Sequence, residues 1–180
     1  GSFMSLTNFT GWEFQTKSQW QGSLNLVYNN DRLTDSLEIS ADELYIKPGR
    51  YEYFSFRGSL VTPMSKPFYI MFMTELGEVY DGTRLSFRTE PTWNLSKHFE
   101  LGGIYSFDHV NVAARDVSMT NHIVGVKTLY MLDTRFSVNA YIQYNTALDG
   151  IITNLRFRYN PKEGNDLYLV FNEDRNTDLN

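Results

Sequence analysis

The chain of 180 residues contains no cysteine, which removes disulfide scaffolds and thiolate metal sites from consideration. Proline is sparse, with five in all, so extended segments run with few interruptions. The longest apolar run lies around 68–73, far short of the ~20 residues that a membrane helix requires. Cations are the minority charge: 16 Lys and Arg stand against 21 Asp and Glu, a formal net charge of −5. With no basic run or Lys/Arg-rich helix, a nucleic-acid surface is excluded. A Ser-centred elbow, a phosphate-cradling glycine loop and a zinc-binding helix motif are all missing. Neither enzymatic activity nor a small-molecule cofactor is expected. The chain also begins without a signal peptide. An exported protein carries one at synthesis, so Gly1 is expected to follow a processed, truncated or longer N-terminus.

What is present is aromatic: twelve Tyr and thirteen Phe, residues that suit pleated, half-buried surfaces. Between about 51 and 171 the sequence reads as eight strands with strict alternation. Their connections fall into two sets. Those at 62–67, 94–98, 132–135 and 160–165 are short, whereas 81–82, 111–120 and 146–150 are more variable. Consecutive antiparallel strands bring every second connection to the same end, so one end carries tight turns and the other carries loops. Outer-membrane barrels have this asymmetry, and a closed barrel is the other way to satisfy backbone groups in lipid.

Side chains alternate between faces along a strand. Near 84–93, Leu85, Phe87, Thr89 and Trp93 oppose Arg84, Ser86, Arg88 and Glu90. In the next clear segment Val138, Ala140, Ile142 and Tyr144 oppose Asn139, Tyr141 and Gln143. A third sets Leu155, Phe157 and Tyr159 against Asn154, Arg156 and Arg158. The lipid-facing candidates are therefore Leu85, Phe87, Val138, Ala140, Ile142, Leu155 and Phe157. The lumen-facing candidates are Arg84, Arg88, Glu90, Asn139, Gln143, Asn154, Arg156 and Arg158. Tyr51, Tyr80, Trp93, Tyr105, Tyr144 and Tyr159 are expected near strand ends, where interfacial girdles form. Strands of about nine to eleven residues suffice to cross a bilayer when tilted.

Upstream, Trp12 and Phe14 oppose Glu13 and Gln15, and Leu24, Leu26 and Tyr28 oppose Ser23 and Asn25. The segment 31–50 is the one long connection, with Pro48-Gly49 as its turn and with Leu37, Ile39, Leu44 and Ile46 available either to pack against the barrel mouth or to form a short extra strand. The expectation is an all-β, antiparallel up-and-down transmembrane β-barrel, with about ten strands within one segment, 1–180. Parity puts both chain ends on the loop side, with 175–180 running as a loop. Closure is therefore expected only with further strands, from a longer chain or from another one.

Several stretches resemble a domain of unknown function found at the C-terminal end of large secreted Bacteroidota proteins. They are Ile46-Lys47-Pro48-Gly49-Arg50-Tyr51, Gly77 through Tyr80-Asp81-Gly82 with Arg84, Ile142-Gln143-Tyr144-Asn145, Asn154-Leu155-Arg156, and Asp166-Leu167-Tyr168-Leu169-Val170-Phe171-Asn172. The likeness covers about 12–172 and is most specific from 143 onward. Such proteins look like outer-membrane barrels, and many carry an N-terminal domain similar to family-nine carbohydrate-binding modules. That domain and a terminal strand are both missing here, so the resemblance implies a bacterial outer-membrane location and places no sugar-related role on any residue.

Other constellations are weaker. His98, His109 and His122 do not supply the three or four convergent ligands of a metal site, and no metal is expected. Asn172 through Asp178 is rich in oxygen donors but lacks calcium-loop spacing and reads as a surface loop. Glu90 with Glu100, or Glu75 with Glu78, would need to face each other across a sugar to act as glycosidase carboxylates. Arg84, Arg88, Arg156 and Arg158 could pair with Glu90, Glu100 or Asp108 across a lumen, either as a constriction for anionic or hydroxyl-rich solutes or as a neutral plug. The leading expectation is a non-enzymatic anchor, conduit or component of an envelope assembly linked to glycan handling. Its partners are the lipid bilayer and other envelope proteins or lipoproteins, recruited by the loops at 31–50 and 111–120. The alternative is a soluble barrel or sandwich that binds an apolar or carbohydrate ligand, with Phe87, Val138, Ile142 and Phe157 turned inward.

Overall fold

A computed structural model of the protein describes residues 4–40, 44–113 and 116–176. The alternating segments form β1 (Met4–Gln15), β2 (Gln21–Leu33), β5 (Gly49–Val61), β6 (Phe68–Val79), β7 (Gly82–Ser96) and β8 (Phe99–Val112). β9 (Val117–Met131), β10 (Phe136–Asn145), β11 (Gly150–Lys162) and β12 (Asn165–Asn176) continue the series. All ten lie in one open antiparallel sheet in up-and-down order, β1-β2-β5-β6-β7-β8-β9-β10-β11-β12. β3 (Leu37–Ser40) and β4 (Leu44–Ile46) make a separate two-stranded sheet.

The register keeps like with like. Ala140 stands opposite Leu155, and Leu155 opposite Phe171. Val138, Phe157 and Leu169 form a parallel row on the same parity. The alternate row places Asn139 opposite Arg156, and Asn154 between Tyr141 and Asn172. A slip of one residue would mix the rows, so the patterning fixes the pairing. Turn chemistry assists: Asp133 accepts hydrogen bonds from the backbone N–H groups of Arg135 and Phe136, both at 2.8 Å, the side-chain turn at which Asp excels. Gly164, at φ +84°, takes the left-handed position of the last turn.

The chain divides into two compact units. The first comprises Gly1–Leu60, Met73–Phe87 and Asp108–Thr120. Its buried apolar groups are Val27, Leu33, Ile46, Tyr53, Val110 and Val112, with Val79 and Val117 packed on the last two. Burying one such valine contributes about 1.5–3 kcal/mol. The second unit comprises Val61–Phe72, Arg88–Phe107 and Asn121–Asn180, and among its described residues the buried ones are Pro63, Thr92, Gly102, Gly125 and Gly150.

Several boundaries differ from the sequence reading. β2 runs on to Leu33 because Val27, Asn29 and Asp31, paired to β1, and Leu33 beyond them continue the alternation as buried residues. The connection expected at 31–50 thus shrinks to 34–48 and holds the β3–β4 hairpin. Ile46 is buried, while the side chains of Leu37, Ile39 and Leu44 lie outside the described residues. The loop expected at 111–120 reduces to 113–116, since burial of Val110 and Val112 extends β8. The oxygen-rich stretch from Asn172 is strand up to Asn176, held by pairing with β11 from Asn154 to Gly150. Asp178 and the rest of 177–180 lie outside the described residues. The strands of the large sheet have 10 to 15 residues, so most exceed the expected length. Tyr105 sits mid-strand in β8 rather than near an end.

Candidate functional site

On several strands a polar residue is less exposed than its apolar neighbours, whereas on β11 Asn154 and Arg156 are more exposed than Leu155 and Phe157. On β2, Leu24 is 65% exposed, whereas Asp31 is 4% exposed and Val27 and Asn29 are buried on the alternate parity. On β5, Phe56 is 57% exposed and Ser55 3%. β7 repeats the inversion, with Trp93 and Leu95 exposed beside buried Thr92. β9 exposes Val124 and Val126 on either side of buried Gly125. The polar row, partly withdrawn from solvent and linked by side-chain contacts, is the candidate site.

In the first unit this row is joined by side-chain hydrogen bonds and ion pairs. Asp31 accepts from Tyr53 Oη at 2.7 Å and from Ser5 Oγ at 2.5 Å. Thr7 Oγ1 donates to Asn29 Oδ1 at 3.0 Å. Glu75 accepts from Ser55 Oγ at 2.9 Å and lies 3.0 Å from Arg57 Nε. The Arg57 guanidinium also sits 5.6 Å from the centre of the Phe9 ring, a cation–π arrangement. Arg84 grips Asp108 through Nε, at 3.1 Å, and Nη2, the forked geometry that guanidinium and carboxylate share. A buried carboxylate is tolerated only when so supplied with donors. In the turn between β6 and β7, Tyr80 has its phenol pKa raised by burial and by the Asp31 charge, against a lowering hydrogen bond with Tyr53.

In the second unit the row is carried by ions that keep partial access to solvent. Arg88 Nε donates to Glu90 Oε1 at 2.7 Å, and Lys127 Nζ reaches Glu90 Oε2 at 3.5 Å. Lys127 is on β9 and Glu90 on β7, so the lysine crosses the intervening β8. It does so over Gly102, where an added Cβ would come within 2.5 Å of Lys127 Cε. Glycine here makes room for the crossing. Arg158 Nε donates to Asp166 Oδ1 at 2.8 Å, and Asn160 shares that oxygen. Arg156 stacks 4.4 Å from the Tyr168 ring centre, Asn154 bonds Asn172, and Tyr141 bonds Gln143.

The lumen-facing candidates thus separate into groups. Arg84 belongs to the first unit with Asp108, and Arg88 joins Glu90 in the second. Gln143, Asn154, Arg156 and Arg158 form local pairs on β10–β12, and Asn139 is exposed opposite Arg156. Among the lipid-facing candidates, Leu85 and Ile142 are exposed, whereas Phe87, Val138, Ala140, Leu155 and Phe157 are half-buried.

The weaker constellations do not assemble. His109 and His122 lie inside β8 and β9 and bond Thr120 and Tyr105, at 2.8 and 3.0 Å. His98 occupies the turn after β7 and donates to the Met131 carbonyl at 2.8 Å. No three His, Cys, Asp or Glu side chains converge on a metal position among the described residues. Glu75 and Glu78 have opposite parity on β6 and different partners. Glu90 is held by Arg88 and Lys127, and Glu100 lies in a depression at the turn end.

The sequence reading missed the Asp31–Tyr53 cluster and the Lys127 crossing. The signal for the first was continued parity through Asn29 and Asp31. That for the second was a glycine interrupting the polar row of β8. No family model, curated protein or solved structure matches the chain.

Proposed function

We propose that the chain forms the membrane-crossing wall of a bacterial outer-membrane β-barrel and acts as anchor, conduit or assembly component, without catalysis. The observation that carries this reading is the inverted burial. Leu24 and Phe56 face outward while Asp31 and Ser55, on the same two strands, are withdrawn. Lipid accepts the first set at no cost, and a polar lumen accepts the second. A soluble barrel packs the apolar set inward, yet Ile142 is 53% exposed. The ion pairs of the polar row support a lumen that is largely self-neutralised, with Arg156, stacked on Tyr168, among the groups that a hydroxyl-rich or anionic solute would meet. The resemblance to large secreted Bacteroidota proteins adds a link to glycan handling as part of the same proposal.

The experiment is solubility and insertion. The purified chain is expected to aggregate when detergent is withdrawn and to acquire protease protection along its strands in lipid vesicles. A monodisperse, cooperatively melting protein in detergent-free buffer would overturn the reading.

A further inference from the structure

In the first unit the outward row changes character toward the loop end, and two neighbouring strands do so in the same order. On β2 the row runs Leu24, Leu26, Tyr28, Asn30 and Arg32; on β5 it runs back through Phe56, Phe54, Glu52 and Arg50. The strands match level by level. Tyr28 and Phe54 meet with ring centres 5.0 Å apart. Asn30 Nδ2 donates to Glu52 Oε1 at 3.4 Å, and Asn30 Oδ1 accepts from Arg50 Nε at 3.2 Å. Apolar side chains thus give way to an aromatic pair, then to amide and carboxylate, then to guanidinium. Hydrocarbon, interface and headgroup follow in that order across one leaflet of a bilayer.

A depression of about 960 Å³ opens at the level of the arginines, lined by Met4 and Leu6 of β1 beside Asn30, Arg32 and Arg50. Met4 is paired with Arg32 and Leu6 with Asn30, so these four share one face. The hydrogen bond to Asn30 brings Arg50 onto it. Ser5 and Leu33, of the other parity, also border the depression, Ser5 with its hydroxyl committed to Asp31. Among the described residues no carboxylate lines it, and Arg32 has no hydrogen-bond or ion-pair partner. Glu52, outside the lining, engages Arg50 at 2.8 Å. Set against the two arginines, it leaves positive charge in excess.

We infer that the first unit binds one anionic phospholipid on its outward face at the loop end, with the phosphate at Arg32 and Arg50 and an acyl chain along Leu26 and Leu24. This rests on the membrane reading and adds to it a selective lipid site in the leaflet on the loop side. Guanidinium groups present forked donors that suit phosphate oxygens, and arginines near a membrane surface favour anionic lipid. A free anion would leave Met4, Leu6 and the apolar row below them uncovered. A peptide would bring backbone groups onto leucines that cannot pair them, whereas an acyl chain has none to satisfy.

The test uses the detergent-solubilised chain with Trp12, Trp20 and Trp93 replaced by Phe and with Tyr28→Trp as the only fluorophore. Four residues separate that position from Arg32, about 13 Å at the strand rise, the depth of an upper acyl chain below a bound phosphate. The protein is titrated with phosphatidic acid or phosphatidylcholine, each brominated on the acyl chains. Phosphatidic acid is expected to quench at about tenfold lower mole fraction. Arg32→Gln is expected to remove most of that preference. Unchanged quenching by phosphatidylcholine then shows that the fold survives the substitution. Lys66→Gln with Lys97→Gln, at the turn end, is expected to leave the preference intact. Equal quenching by both lipids in the parent, or a preference undiminished by Arg32→Gln, would overturn the site. So would a preference lost with the two lysines. Inorganic phosphate at millimolar concentration is expected not to relieve quenching by phosphatidic acid; relief would overturn the lipid in favour of a free anion. None of these results touches detergent-free solubility, on which the membrane reading stands or falls.

Discussion

The two units use one alternation and stabilise its polar row in different ways. In the first, the row is packed: Val27, Asn29, Asp31, Tyr53 and Ser55 are all withdrawn from solvent, and the carboxylates have hydroxyl and guanidinium donors. In the second, charge replaces packing. Glu90 collects Arg88 and Lys127, whose side chains keep 39% and 38% of their exposure, and glycines keep the intervening surface low. Packed rows fix geometry, whereas half-solvated ion pairs hold register at little energetic gain. The first unit thus resembles a structural core, and the second a solvated surface.

Both units share the outward apolar row, and breaking it should have the largest effect. Ala140→Arg or Leu155→Arg is expected to cost about 2–4 kcal/mol of folding stability in lipid. The same change at Asn139 or Asn154 should cost clearly less. Urea titration of vesicle-inserted protein measures both, and equal losses on the two parities would dissolve the distinction between rows. Val27→Ala tests the packed core of the first unit. Removing two buried carbons there should cost about 2 kcal/mol, read by the same titration.

Lys127→Gln is the counterpart in the second unit. A loss below about 1 kcal/mol is expected, since both ends of the pair are solvated. A loss matching that of Val27→Ala would mean that the second unit is as closed as the first. The smallest effect concerns alkaline pH. The raised pKa of Tyr80 means that the folded state favours its neutral phenol. The corresponding stability is complete below the unfolded value of about 10. It is lost as pH climbs through the raised folded value. Tyr80→Phe should flatten that decline in chemical denaturation at pH 9 and pH 11.

The up-and-down order was legible because short and variable connections alternate and because parity holds across segments such as those around Ala140 and Leu155. Strand ends were not. Asn29, Asp31 and the run from Asn172 to Asn176 look like loop by composition, yet each lies opposite a strand already in place. Pairing with a neighbour, rather than local propensity, decides how far a strand continues. The polar clusters were partly hidden for a related reason. Tyr53 lies 22 positions from Asp31, and Lys127 lies 37 from Glu90. Contacts at such separations depend on register across several strands. Arg84 with Asp108 was foreseeable from charge alone; Lys127 needed the gap at Gly102.

β1 and β12 each hydrogen-bond one neighbour among the described residues, and both are exposed along twelve positions. In refolding, such a strand meets two kinds of competitor: folding of its own chain, and any other chain that arrives first. The first process is independent of protein concentration and the second rises with it. Yield is therefore a race that dilution favours, and the chain's hydrophobic odd positions on β12, Leu167, Leu169 and Phe171, make the losing outcome a cross-β aggregate.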